Sequence, residues 1–200
     1  MKESMKTDES DTRVEIKLAG FGGQGIALMG NILGKAGQIY SDKLAVWTQS
    51  YGPESRGGAS SSDVVIDSKE IDYPYTEFGK VDIFVVMSKE AYDKFVKYLK
   101  PHGKFFYDTD MLQIDDKVTE LTDDILSIPA TSLAENLGNR LVANVIMLGF
   151  VTKHALKDII SAKEMKESVL NSVPAKHKNL NDKAFDVGYN YEQVIQEVTT

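Results

Sequence analysis

Apolar and polar positions follow two different periods along this chain. Residues 14–18 alternate apolar with charged side chains, the period of a strand. From Ile26 the period lengthens: Ile26, Met29, Leu33, Gly37 and Tyr40 fall at helical spacing and draw one packing stripe. Residues 44–47 and 64–66 are short runs rich in β-branched or aromatic side chains and read as strands. Residues 83–87 are wholly apolar, as expected of a central strand covered on both faces.

Ser88 then offers an N-cap, with Glu90 in the first turn where the helix dipole favours negative charge. That helix runs through Tyr98 and stops at Pro101-His102-Gly103. Residues 105–107 and 125–128 are further strands. Ser132 and Glu135 have the spacing of a capping box ahead of a long apolar helix holding Leu137, Leu141, Val145 and Leu148. Ser161 and Glu164 repeat that spacing before another helix. Residues 181–198 read as an amphipathic helix packed through Phe185, Tyr189 and Ile195.

Strands alternating with helices imply a parallel sheet with helices on both faces. The expected architecture is a single three-layer α/β/α domain over residues 13–200, with a mainly parallel sheet and a helical C-terminal portion. Residues 1–12 mix charges with Ser and Thr and read as a disordered tail without the apolar core of a signal peptide.

Composition narrows the functional classes. At 200 residues, 42% apolar and 26% charged, the chain has the profile of a soluble globular domain. A net charge of −7 argues against a nucleic-acid partner, which demands surplus Lys and Arg, and against anionic membranes. The absence of cysteine excludes disulfides and thiolate-held iron–sulfur clusters within the chain. His102, His154 and His177 form no pair at metal-ligand spacing, so no zinc site is expected, although carboxylates remain open to Mg²⁺ or Ca²⁺. No apolar run approaches the roughly 20 residues that span a bilayer. The expectation is a cytoplasmic protein.

Two segments carry candidate chemistry. Gly20-Phe21-Gly22-Gly23-Gln24-Gly25 fits G-x-G-x-x-G between a predicted strand and a predicted helix. Its glycines permit a tight turn and close approach of a ligand to the backbone, and the helix start favours an anion. The ribose-binding acid expected about 20 residues onward is missing, because the next strand runs into Trp47-Thr48-Gln49-Ser50. Ile26 and Ala27 stand where a Walker loop needs Lys and Ser or Thr. The second segment, Thr48-Gln49-Ser50-Tyr51-Gly52-Pro53-Glu54-Ser55-Arg56-Gly57-Gly58, is polar, bent by Gly and Pro, and follows a strand. Arg56 would grip a phosphate or carboxylate, or form a surface or inter-subunit ion pair. The candidate cofactor-binding residues are Gly20, Gly22, Gly23, Gln24, Gly25, Ser50 and Arg56. No catalytic nucleophile and no metal ligand set emerges; Ala59-Ser60-Ser61-Ser62 reads as polar strand entry.

Together these two segments resemble the gamma subunit of 2-oxoacid:ferredoxin oxidoreductases, in particular its 2-oxoglutarate branch, and an internal domain of single-chain pyruvate:ferredoxin oxidoreductases. The similarity continues through Asp63-Val64-Val65-Ile66, Ile71-Asp72-Tyr73-Pro74, Asp82 to Tyr92 with its Met87-Ser88, and the stretch from Asn139-Arg140 to Gly149, so it covers roughly residues 13–195. Ser55 departs from the family's common Ala.

The resemblance implies oxidative decarboxylation of a 2-oxoacid with coenzyme A, delivering two electrons to ferredoxin. It also implies that thiamine diphosphate, Mg and iron–sulfur clusters sit on partner alpha, beta and delta subunits, since this chain has neither cysteines nor a thiamine motif. The chain would be inactive alone and prone to self-association when isolated. Two roles for the glycine turn stay open: a seat for the phosphates of coenzyme A, or a scaffold against the thiamine-binding subunit. Two other readings also stay open: the small subunit of indolepyruvate:ferredoxin oxidoreductase, and a free-standing Rossmann-like nucleotide-binding protein.

Overall fold

The computed structural model describes residues 13–50 and 58–192. A six-stranded sheet forms its middle layer: β1 (Val14–Phe21), β2 (Leu44–Ser50), β3 (Ala59–Asp67), β4 (Val81–Val86), β5 (Leu99–Asp108) and β6 (Ile125–Ile128), in the order β2-β3-β1-β4-β5-β6. β1, β4, β5 and β6 pair in parallel. β3 runs antiparallel to both β1 and β2. Residues 51–58 are too few for the dozen or more residues of a parallel crossover, so the chain returns directly. The sheet is thus mainly parallel, with one reversed strand that simple strand–helix alternation does not foretell.

One face of the sheet is covered by α1 (Ile26–Lys35), α4 (Ala130–Asn136), α5 (Ala143–Val151), α6 (Ala162–Ser172) and α7 (Lys178–Tyr189). Their side chains pack on Ile16, Leu18, Val64, Ile66, Ile83, Val85 and Phe106. The other face is covered by α2 (Lys89–Phe95) and the short α3 (Asp116–Thr119), around Phe84, Val86, Tyr92 and Phe105. β4 lies between β1 and β5, and its apolar side chains are buried on both faces, as its unbroken apolar run predicts. α5 is buried at all nine positions, because it is sandwiched between the sheet and α7.

Several local expectations meet their residues. Ser88 caps α2 by accepting from the Ala91 backbone N–H. Ser161 and Glu164 form a reciprocal capping box on α6. The α1 stripe continues into a π turn over Ala36–Tyr40, and Phe185 is buried in α7. The expected helix over 181–198 starts earlier, at Lys178, and Ile195 lies outside the described residues.

The serine run 60–62 enters β3 as expected: Ser60 donates to the Gly20 carbonyl and Ser62 to that of Thr48, so these hydroxyls serve the sheet. Three expectations need correction. The helix after Ser88 gives way to a 3-10 turn at Val96–Tyr98, and Pro101-His102-Gly103 lies within β5. Ser132 and Glu135 do not cap a helix. α4 begins at Ala130, and Asp108 at the end of β5 and Asp110 in the turn after it take its early N–H groups: Asp108 accepts from Thr131 and Asp110 from Ser132. The expected long helix through Leu148 is split at Gly138 (φ 88°) into α4, a 3-10 turn at Arg140–Val142, and α5. The Asn139 side chain caps that turn by accepting from Leu141 N–H.

Candidate functional site

The carboxyl ends of β1, β4 and β5 meet the N-terminal ends of α1 and α4 at one edge of the sheet, where parallel α/β folds bind ligands. A cleft of about 90 Å³ opens there, lined by Gly23, Gln24, Met87, Thr131, Arg140, Leu141 and Ala143.

The glycine turn forms its floor, and each member has a separate task. Gln24 is a clamp: its Oε1 accepts from the Phe21 N–H at 2.6 Å and its Nε2 donates to the Met87 carbonyl at 2.7 Å. It thereby ties the end of β1 to the end of β4. Gly20 leaves room for that clamp, since an added Cβ would stand 2.6 Å from Gln24 Oε1. Gly22 N–H donates to the Gly58 carbonyl at 3.2 Å, which joins the turn to the end of the second motif.

Gly25 caps α1 in the left-handed region (φ 77°), and a Cβ there would lie 2.2 Å from Asn144 Nδ2. Gly23 also has positive φ (103°), but a Cβ would meet nothing within 4 Å, so its backbone faces open space. α1 carries no side-chain cap and no acid in its first turn. The positive end of its dipole and its first N–H groups are therefore available to an anion.

Ser50 stands at the same edge, two strands across the sheet. It ends β2 paired with Ser61 and opens onto a second cavity of about 340 Å³. There Lys17, buried to within 2% of full coverage, pairs with Asp63 at 2.6 Å and donates to Thr76 at 3.2 Å. Its Nζ lies 4.1 Å from the centroid of the Tyr98 ring. Burial pushes the Lys17 ammonium pKa down, and Asp63 opposes that shift. Lys17 and Asp63 stand opposite each other in the β1–β3 register, so the pair favours one alignment of the reversed strand. Arg56 lies outside the described residues. The structure therefore gathers Gly20, Gly22, Gly23, Gln24 and Gly25 around one cleft and places Ser50 at the same edge of the sheet, across β3 and lining the other cavity.

Sequence reasoning missed the far wall of the cleft. Thr131 in that wall is held from behind by Asp108, fully buried at the end of β5, which accepts from its backbone N–H and from its hydroxyl, the latter at 2.6 Å. Burial raises the Asp108 pKa above the usual carboxylate value, against the pull of the Thr131 and Asp110 donors. Arg140 and Leu141 follow the break at Gly138 and form the lip, with Leu141 71% exposed. Gly138-Asn139 was the readable sign of that break, a helix stop followed by a capping residue. Among the described residues, no group of three or more His, Asp or Glu is arranged to hold a metal ion. No helix among them is long and apolar enough to cross a membrane.

Known proteins share both the sequence and this fold. The family model described as pyruvate ferredoxin/flavodoxin oxidoreductase matches residues 15–191. The chain is 46% identical over 178 residues to the 2-oxoglutarate synthase subunit KorC of Methanocaldococcus jannaschii, covering 88% of this chain and 92% of that one. It is similar to the crystal structure of a keto/oxoacid ferredoxin oxidoreductase gamma subunit from Geobacter sulfurreducens, at TM-score 0.73 and 36% identity over 88% of this chain and 94% of that one. It shares its fold with a chain of the 2-oxoglutarate:ferredoxin oxidoreductase of Magnetococcus marinus, solved with 2-oxoglutarate, coenzyme A and succinyl-CoA bound. That match has TM-score 0.75 and 24% identity, over 90% of this chain and 31% of that one. The chain belongs to the pyruvate ferredoxin/flavodoxin oxidoreductase family.

Proposed function

We propose that this chain is the gamma-type subunit of a 2-oxoglutarate:ferredoxin oxidoreductase, and that its glycine turn receives coenzyme A. The observation that carries the subunit assignment is the 46% identity with a 2-oxoglutarate synthase subunit over 88% of this chain and 92% of that one. A free-standing dinucleotide enzyme fits poorly. Antiparallel β3 separates β1 from β2, and no carboxylate ends β2 to take a ribose.

The division of labour follows from composition. With no cysteine, the chain offers no seat for iron–sulfur clusters, and no step of electron transfer is assigned to it. Clusters, thiamine diphosphate and Mg belong in this reading to partner subunits of the complex. Bound coenzyme A supplies the thiol that accepts the acyl group; this chain's part is to hold the carrier. Gly23 presents an unobstructed backbone, α1 directs its first N–H groups outward, and Gln24 keeps the turn at a fixed height above the sheet. Gly20 and Gly25 are the space that this arrangement needs. The Magnetococcus enzyme of the same fold, which holds coenzyme A, is consistent with this reading.

The test is Gly23→Leu in the assembled complex. A bulky side chain in that open space should raise the Michaelis constant for coenzyme A severalfold and leave the constant for 2-oxoglutarate and subunit assembly unchanged. Gly79→Leu provides a control for backbone strain, because Gly79 also has positive φ (69°) and open surroundings. An unchanged constant for coenzyme A, or an equal change in both variants, would remove the turn from the coenzyme site.

A further inference from the structure

We infer that Arg140, on the lip of the cleft, is a phosphate-gripping residue for coenzyme A, with Leu141 as the apolar surface beside it. The inference rests on the coenzyme reading of the glycine turn and names a residue that neither motif contains. Three observations carry it.

First, Arg140 is the cation among the described residues of the cleft: Gly23, Gln24, Met87, Thr131, Leu141 and Ala143 are all neutral. A phosphate at the open backbone of Gly23 would meet N–H groups from the floor and a guanidinium from the lip.

Second, the guanidinium is only loosely held. Its Nη2 donates to the Met111 thioether at 3.3 Å, and its Nε stands 3.9 Å from Glu135 Oε1, with both side chains more than half exposed. A thioether is a weak acceptor and an exposed pair at that length contributes little. Five donors in a fixed fork with so little to bind are ready for a better acceptor. Such an acceptor has only to displace Met111 and Glu135.

Third, the backbone places the residue there deliberately. The break at Gly138 and the Asn139 cap end the helix there, and Arg140 and Leu141 line the same cleft as Gly23 and Gln24. Leu141 is 71% exposed on the same lip. Beside a cation it makes a two-part surface, charged and apolar, that suits a ligand joining a phosphate to an uncharged arm.

The experiment compares acyl acceptors in the reconstituted complex, with coenzyme A and with pantetheine, which keeps the thiol and arm but has no phosphate. Arg140→Ala should raise the Michaelis constant for coenzyme A roughly ten- to a hundredfold, the worth of charge-assisted hydrogen bonds, and leave that for pantetheine within about twofold. Arg140→Lys should recover only part of the loss, because a point charge replaces a fork. Equal effects on both acceptors, or none on coenzyme A, would overturn the inference. The Gly23→Leu variant separates the two failures. If it weakens coenzyme A use while Arg140→Ala does not, the site stands and Arg140 has no part in it. If neither variant matters, the coenzyme reading of the turn is itself wrong.

Discussion

The floor and the lip of the cleft are built on opposite principles. On the floor, Gln24 spends its amide on two backbone groups, Gly22 bonds Gly58, and Gly25 is packed against Asn144. At the lip, Arg140 has a thioether and a distant carboxylate, and Leu141 is mostly in solvent. A motif rich in glycine is easily taken as a list of ligand contacts. Here most of its members are support, and the side chain with unspent hydrogen bonds stands across the cleft on another element.

That contrast fixes how substitutions should rank in their effect on folding. Gly25→Ala should cost the most, about 2–5 kcal/mol, since it combines left-handed strain with a collision against Asn144. Chemical denaturation of the isolated chain measures it, and a loss below about 1 kcal/mol would mean that Asn144 yields freely. Gln24→Ala should follow at about 1–2 kcal/mol, because it removes the donor to the part-buried Met87 carbonyl, while the exposed Phe21 N–H can turn to water.

Asp108, which holds Thr131 of the cleft wall, gives a pH-dependent effect. Its pKa is raised on folding, so its contribution to stability is fully present below the ordinary carboxylate value of about 4 and is lost as pH rises through the folded value. Wild-type stability relative to Asp108→Asn should therefore decline as pH is raised from about 4; a rising difference would reverse the assigned direction. Arg140→Ala should be smallest, within about 0.5 kcal/mol, because its present contacts are exposed and long. A cost above 1 kcal/mol would make Arg140 a structural residue and weaken its role in recognition.

Much of the fold could be read from the chain, for physical reasons that differ by element. β4 was legible because a strand buried on both faces must be apolar throughout. α2 and α6 were legible because their caps are local, encoded within four residues. α4 was misread because its cap is not local: the acceptors Asp108 and Asp110 arrive from the end of β5 and the turn after it. The reversal of β3 was hidden because its side-chain alternation is the same in either direction, and only the short connection gives it away. The glycine turn was found through its spacing, yet its separation from Ser50 depends on β3 entering between β1 and β2. Arg140 was missed as a site residue because no motif marks it; the break at Gly138 creates its position.

The most direct test of the whole account is reconstitution. This chain is added to complex-forming subunits that carry thiamine diphosphate and clusters, and coenzyme A-dependent dye reduction is followed with 2-oxoglutarate, pyruvate and indolepyruvate in turn. The account predicts that activity needs this chain and that kcat/KM is highest for 2-oxoglutarate. Full activity in its absence, or a preference for indolepyruvate or pyruvate, would contradict it.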